Sequence, residues 1–142
     1  MKKLNLLFIL LLCSCGINSS FSKTCTKEIK NANFSEKTIM YIKYNGNDLV
    51  DDAYITKRYK SLKRDSIEII TNIKSSIEEY NNKYGGTGIK YKVLNDELNK
   101  YEIKYYLPVK QLDEDVLNDF KIYKNSGKLF KMLKKENMEC EG

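Results

Sequence analysis

Hydrophobic positions fall into three patterns along the chain. At the N-terminus they are continuous. Met1-Lys2-Lys3 leads into Leu6-Leu7-Phe8-Ile9-Leu10-Leu11-Leu12, a charged start and short apolar run of the kind that marks a secretory signal. The run is well short of the roughly 20 apolar residues that a membrane-spanning helix needs. Between residues 16 and 37 apolar residues thin out and Ser, Asn, Thr and Lys dominate, which predicts a tether and an irregular lead-in. Beyond that stretch the apolar positions become periodic. Thr38-Ile39-Met40-Tyr41-Ile42-Lys43-Tyr44 is β-branched and aromatic and ends at Asn45-Gly46, so it predicts a strand running into a turn. Ala53-Tyr54-Ile55-Thr56 fits either a second, hairpin-paired strand or the start of a helix. From Ser66 to Tyr84 the period changes to that of a helix: Ile70, Ile73, Ile77, Tyr80 and Tyr84 share one face. Asp65 and Glu68 suit its N-terminus and Gly85-Gly86 its stop.

Strict alternation then returns. Ile89, Tyr91 and Val93 alternate with Lys90 and Lys92, while Tyr101, Ile103, Tyr105 and Leu107 alternate with Glu102, Lys104 and Tyr106. The two runs predict an antiparallel hairpin, ended by Pro108. A second helix is expected near Asp113, where Asp113, Glu114 and Asp115 suit the positive end of the helix dipole. Val116, Leu117, Phe120 and Tyr123 would form its apolar face, and Asn125-Ser126-Gly127 its break. Leu129, Phe130, Met132 and Leu133 continue as a short amphipathic piece before Lys134-Lys135. The order predicts an α+β fold, with a small antiparallel sheet of three or four strands and two or three helices packed on one face. The expected organisation is a signal over 1–14 (alternatively 1–22), a tether and irregular lead-in over 15–37, and a single domain over 38–142.

The N-terminal run carries a further motif. Leu12-Cys13-Ser14-Cys15 resembles the lipobox of bacterial lipoproteins, in which an aliphatic, a variable and a small residue precede an invariant Cys. Cys13 departs from the residues commonest at its place, and the resemblance covers the signal alone. It implies that Cys15 is lipidated and becomes the mature N-terminus, and that Gly16 after it, in place of Asp, favours the outer membrane, facing the periplasm. Two acyl chains anchor stably where one is marginal. Ser20-Phe21-Ser22 offers a different outcome: cleavage before Lys23 and release as a soluble protein. Either cleavage removes Cys13, and Cys15 is lipidated or lost. Cys25 and Cys140 remain, an even pair in an oxidising compartment, and predict a disulfide between the two ends of the domain.

Export changes how the charge is read. The formal net charge of +6 falls to +4 once Lys2 and Lys3 are gone. Arg58 and Arg64 are the only arginines, whereas nucleic-acid readers favour arginine for bidentate contacts. No nucleic-acid partner is expected, and the abundance of Lys, Asn, Ile and Tyr fits an AT-rich coding sequence. Roughly 120 residues remain after the signal, enough for one modest core.

Histidine is absent. That removes the commonest general base and the commonest zinc ligand, and with them every Ser-His or Cys-His nucleophile pair. No Gly-rich loop precedes Lys-Ser/Thr. Asp51-Asp52 and Asp113-Glu114-Asp115 lack the spacing of a calcium loop and read as a solvated loop and a charged helix start. Neither catalytic residues nor a cofactor or metal are expected.

Tyr106 carries a different signal. If Tyr105 faces the core, Tyr106 faces outward beside Lys92 and Lys104, either as a partner contact or lying over lysine stems. Tyrosine offers large contact area at low entropy cost. These features together fit a non-catalytic exported envelope lipoprotein that binds another protein, with membrane attachment through its N-terminal lipid. An inhibitor or immunity protein against a periplasm-acting toxin or hydrolase has this profile, by analogy. The alternatives are a structural accessory lipoprotein of a secretion, pilus or conjugation apparatus, and a carboxylate-dependent envelope hydrolase.

Overall fold

A computed structural model describes residues 19–142. The signal segment and Cys15 lie outside the described residues. The chain runs β1 (Ser20–Lys30), β2 (Phe34–Asn45), β3 (Val50–Ser61), α1 (Ile67–Lys83), β4 (Lys90–Asp96), β5 (Lys100–Leu107), α2 (Glu114–Asp119), α3 (Ser126–Lys135) and β6 (Glu139–Glu141). The strands form one antiparallel sheet in the order β4-β5-β3-β2-β1-β6. The α+β class stands, but the expected three or four strands are corrected to six.

The two unforeseen strands have a common cause. The inward positions of β1 are Phe21, Lys23, Cys25, Lys27 and Ile29, so its core face is interrupted by lysines and carries no clean alternation. β6 is only Glu139-Cys140-Glu141. Both exist because a neighbour's backbone offers them a hydrogen-bond ladder, a tertiary term that periodicity does not contain. Residues 20–30 are therefore a sheet strand, where an irregular lead-in was expected. Ala53–Thr56, which fitted either element, lies within β3, paired with β2 from Phe34↔Ser61 to Tyr44↔Val50.

α1 spans the expected segment. It buries Ile70 and Ile77, and Gly86 follows its end at φ 83°, a conformation that costs glycine nothing. The region after Asp113 differs from expectation. α2 ends at Asp119, and Lys121 takes φ 54° in the turn that follows. Asn125 does not break a helix; it starts one. Its side-chain oxygen accepts the Lys128 N–H at 2.9 Å, a cap that satisfies one of the orphan donors of α3. Tyr123, expected on an apolar helix face, is exposed.

The core lies between one sheet face and the three helices. Ile42, Ile103 and Leu107 of the sheet, Ile70 of α1, Leu117 of α2 and Leu129 of α3 are all fully buried in one cluster. β4 lies at the sheet edge, so Tyr91 and Val93, expected to face the core, stay 53% and 39% exposed. Cys25 pairs in register with Cys140 across β1 and β6, Cα to Cα 4.0 Å, in an arrangement compatible with a disulfide.

Candidate functional site

The helices cover one face of the sheet, and the other is a polar, aromatic surface built by strand alternation. Three cross-strand rows define it. The first runs Thr24–Tyr41–Tyr54–Tyr106–Lys90, the second Thr26–Ile39–Thr56–Lys104–Lys92, and the third Glu28–Lys37–Arg58–Glu102. Directly opposed residues on neighbouring strands touch, and the tyrosines do so in sequence. The Tyr41 and Tyr54 ring centroids are 6.0 Å apart, and those of Tyr54 and Tyr106 are 5.2 Å apart. Lys43 and Lys104 place their ammonium groups 5.8 and 5.3 Å from the Tyr54 ring centroid, within the reach of a cation–π attraction. A shallow depression on this face is lined by Tyr41, Lys43, Tyr54, Thr56, Arg58 and Lys104, among others.

The sequence-predicted contacts come together here. Lys92 stands opposite Lys104, and Tyr106 sits two residues along β5 on the same face. Tyr106 is half-buried, because its ring packs on Tyr54 and its hydroxyl donates to Asp52 Oδ1 at 2.9 Å. That hydrogen bond to a carboxylate is the main reason its phenol is held above the ordinary tyrosine value. Arg58 Nε donates to Glu102 Oε1 at 2.7 Å, so Glu102 is covered although it points away from the helices. Sequence reasoning missed Tyr41, Tyr54, Lys43 and Arg58. Tyr41 and Tyr54 belong to strands whose pairing only the β2–β3 hairpin defines. A simple alternation count across the turn does not find this face, because the β2–β3 register shifts between Lys43 and Tyr44.

The carboxylate clusters are dispersed. Asp51 is held by Lys110 at 2.6 Å and accepts from Asn45 Nδ2 at 3.4 Å, while Asp52 accepts from Tyr106, so the adjacent carboxylates have separate partners. Asp113 to Asp115 are exposed at the start of α2. Among the described residues there is no group of three or more His, Cys, Asp or Glu placed to hold a metal ion.

A second concavity lies on the opposite face, between the sheet and α1, α2 and α3. Its volume is about 450 Å³. Met40, Ile55 and Tyr59 form the sheet wall, Ile77 and Tyr80 the α1 wall, and Met132, Leu133 and Met138 the side near the C-terminus. Phe120 closes one end through edge contacts to Tyr80 and Tyr105, at 5.2 and 5.6 Å between centroids. Burial pushes the phenols of Tyr59, Tyr80 and Tyr105 well above the ordinary tyrosine value. Asp119 is bound by Lys83 at 2.7 Å and by the Tyr84 hydroxyl. Lys83 first, then Tyr84, hold its carboxyl below the usual 3.8.

The fold defines the chain only as an α+β protein with helices on one face of an antiparallel sheet. No protein-family model matches it, and no curated protein does. A similar solved structure is the NMR structure of the protein from Streptococcus pneumoniae TIGR4, with a TM-score of 0.50 at 12% identity. The match covers 88% of this chain and 87% of that one. At that identity the likeness concerns the fold alone.

Proposed function

We propose that this chain is a non-catalytic exported envelope protein that binds another protein through the open face of its sheet. The observation that carries the reading is the Tyr41–Tyr54–Tyr106 row flanked by Lys43, Arg58 and Lys104. Aromatic residues and arginine are enriched where proteins bind one another. Tilted ring contacts between neighbours hold these rings in place, so little entropy is lost when a partner packs on them. The cations favour a partner whose matching surface is acidic, and they steer its approach. Within this class an inhibitor or immunity protein against a periplasm-acting toxin or hydrolase suits a small chain whose two ends are joined by a cysteine pair.

In the lipoprotein reading Cys15 carries the anchor and β1 begins at Ser20. Five residue steps then separate lipid from sheet, a reach of at most about 18 Å. The bound partner is accordingly held close to the membrane.

The test is co-purification of the full-length chain from envelopes with the product of a neighbouring gene. The wild type should retain that product through washing, and the double variant Tyr54→Ala, Lys104→Glu should lose it. Equal retention by the variant overturns the assigned face. Failure of any envelope protein to bind the wild type stoichiometrically overturns the class.

A further inference from the structure

The cavity beneath the helices has a polar end that its apolar walls do not explain. Lys27 of β1, Thr38 of β2 and Lys57 of β3 lie in one cross-strand row on the helix-facing side of the sheet, and all three line the cavity. Residues on either side of this row along β2 and β3, Met40, Ile55 and Tyr59, belong to the core. Lys57 is half-buried on a central strand, next to the fully buried Ile103. It has no ion-pair or hydrogen-bond partner among the described residues. Glu136, the acid at this end, is shared: Lys121 approaches it to 3.6 Å and Lys27 to 4.0 Å. Asp119 is already engaged by Lys83 and Tyr84. Among the lining residues three lysines therefore face one available carboxylate, with a threonine hydroxyl between two of them; Glu36, the next helix-facing residue of β2, stands opposite Tyr59 outside the lining.

A cation drawn toward a low-dielectric space without a counter-charge is costly, and an anion delivered to it is correspondingly favoured. The remaining walls offer aliphatic, thioether and aromatic surface, and methionines adapt their shape to a ligand. The volume of about 450 Å³ falls within the range of small-molecule sites, about 300–1,000 Å³. We propose that this cavity binds a single-chain amphiphile, with its carboxylate or other anionic head at Lys27, Thr38 and Lys57 and its apolar body between Ile77, Tyr80, Met132 and Leu133. The site lies on the opposite side of the sheet from the partner-binding face and does not depend on that reading.

Backbone amide NMR of the folded chain, titrated with decanoate, tests the assignment, with decanol and decyltrimethylammonium as chemical controls. Decanoate should bind saturably and shift amides of Thr38, Lys57, Ile77 and Leu133. It should bind about tenfold or more tightly than decanol, the effect of one hydrogen bond to a charged group. Decyltrimethylammonium should bind no better than decanol. Lys57→Met keeps the stem and removes one of the charges at the head, so it should weaken decanoate severalfold while leaving decanol unchanged. Met132→Trp, which fills the cavity, should weaken both. Absence of saturable decanoate binding overturns the site. Equal affinity for decanoate and decanol in the wild type, or unaltered decanoate binding by a folded Lys57→Met, overturns the anionic subsite.

Discussion

Asp119 shows how one side chain joins elements that share no backbone ladder. It stands at the end of α2, and its partners Lys83 and Tyr84 stand at the end of α1. The Tyr80 hydroxyl adds a bond to its carbonyl oxygen at 3.2 Å. Because its folded carboxyl titrates below the usual 3.8, the unfolded chain takes up the proton first as pH falls. Its contribution is therefore complete above the unfolded value and disappears as pH drops through the folded one. Asp119→Asn should lower the urea midpoint at neutral pH, and the gap from wild type should narrow below about pH 4. Denaturation series at neutral and acid pH measure this directly. A gap that stays constant across the range would mean the carboxylate charge plays no part.

At the scale of elements, legibility tracked how much of each element's stability is local. α1 was readable because Ile70, Ile73, Ile77, Tyr80 and Tyr84 repeat at helical spacing over an unbroken segment. β5 was readable because Tyr101, Ile103, Tyr105 and Leu107 alternate and all four are buried. β1 was not, since lysines occupy two of its inward positions: Lys27, which lines the cavity, and Lys23, which lies over the Phe130 ring. β4 reads as a buried strand, but its place at the edge, beyond the helices, is a property of topology that alternation does not encode. The N-terminus of α3 was misread for a related reason. Asn-Ser-Gly is as good a helix start as a helix stop, and only the Lys128 bond to Asn125 distinguishes them. Asn125→Ala should therefore destabilise the fold by about 1 kcal/mol, read from chemical denaturation, and an unchanged midpoint would return Asn125 to the status of a linker. The candidate face was half legible: Lys92, Lys104 and Tyr106 could be grouped from β4 and β5 alone, whereas Tyr41 and Tyr54 needed the β2–β3 pairing.

At the scale of the molecule, the pairing of β6 with β1 brings the two ends of the described chain together. A disulfide between Cys25 and Cys140 encloses a sequence separation of 115 residues. Cross-linking a loop of that size stabilises by about 4–5 kcal/mol in the chain-entropy model. Oxidised protein should lose stability of that order on reduction, measured by denaturation with and without a thiol reductant. Peptide mapping without reduction should recover the two cysteines in one linked pair. Equal stability of the two forms would show that β6 is held by packing alone.

The same bond turns the domain into a closed ring. The turn at residues 46–49, the segment at 84–89 and the turn at 97–99 all lie inside it. A protease that cuts one of these loops opens the ring yet releases no fragment. Both pieces stay joined at adjacent strands of one sheet, each beside the surfaces it needs to re-dock. If the chain is exported, as proposed above, a single nick thus leaves one covalent molecule where an unlinked chain would become two.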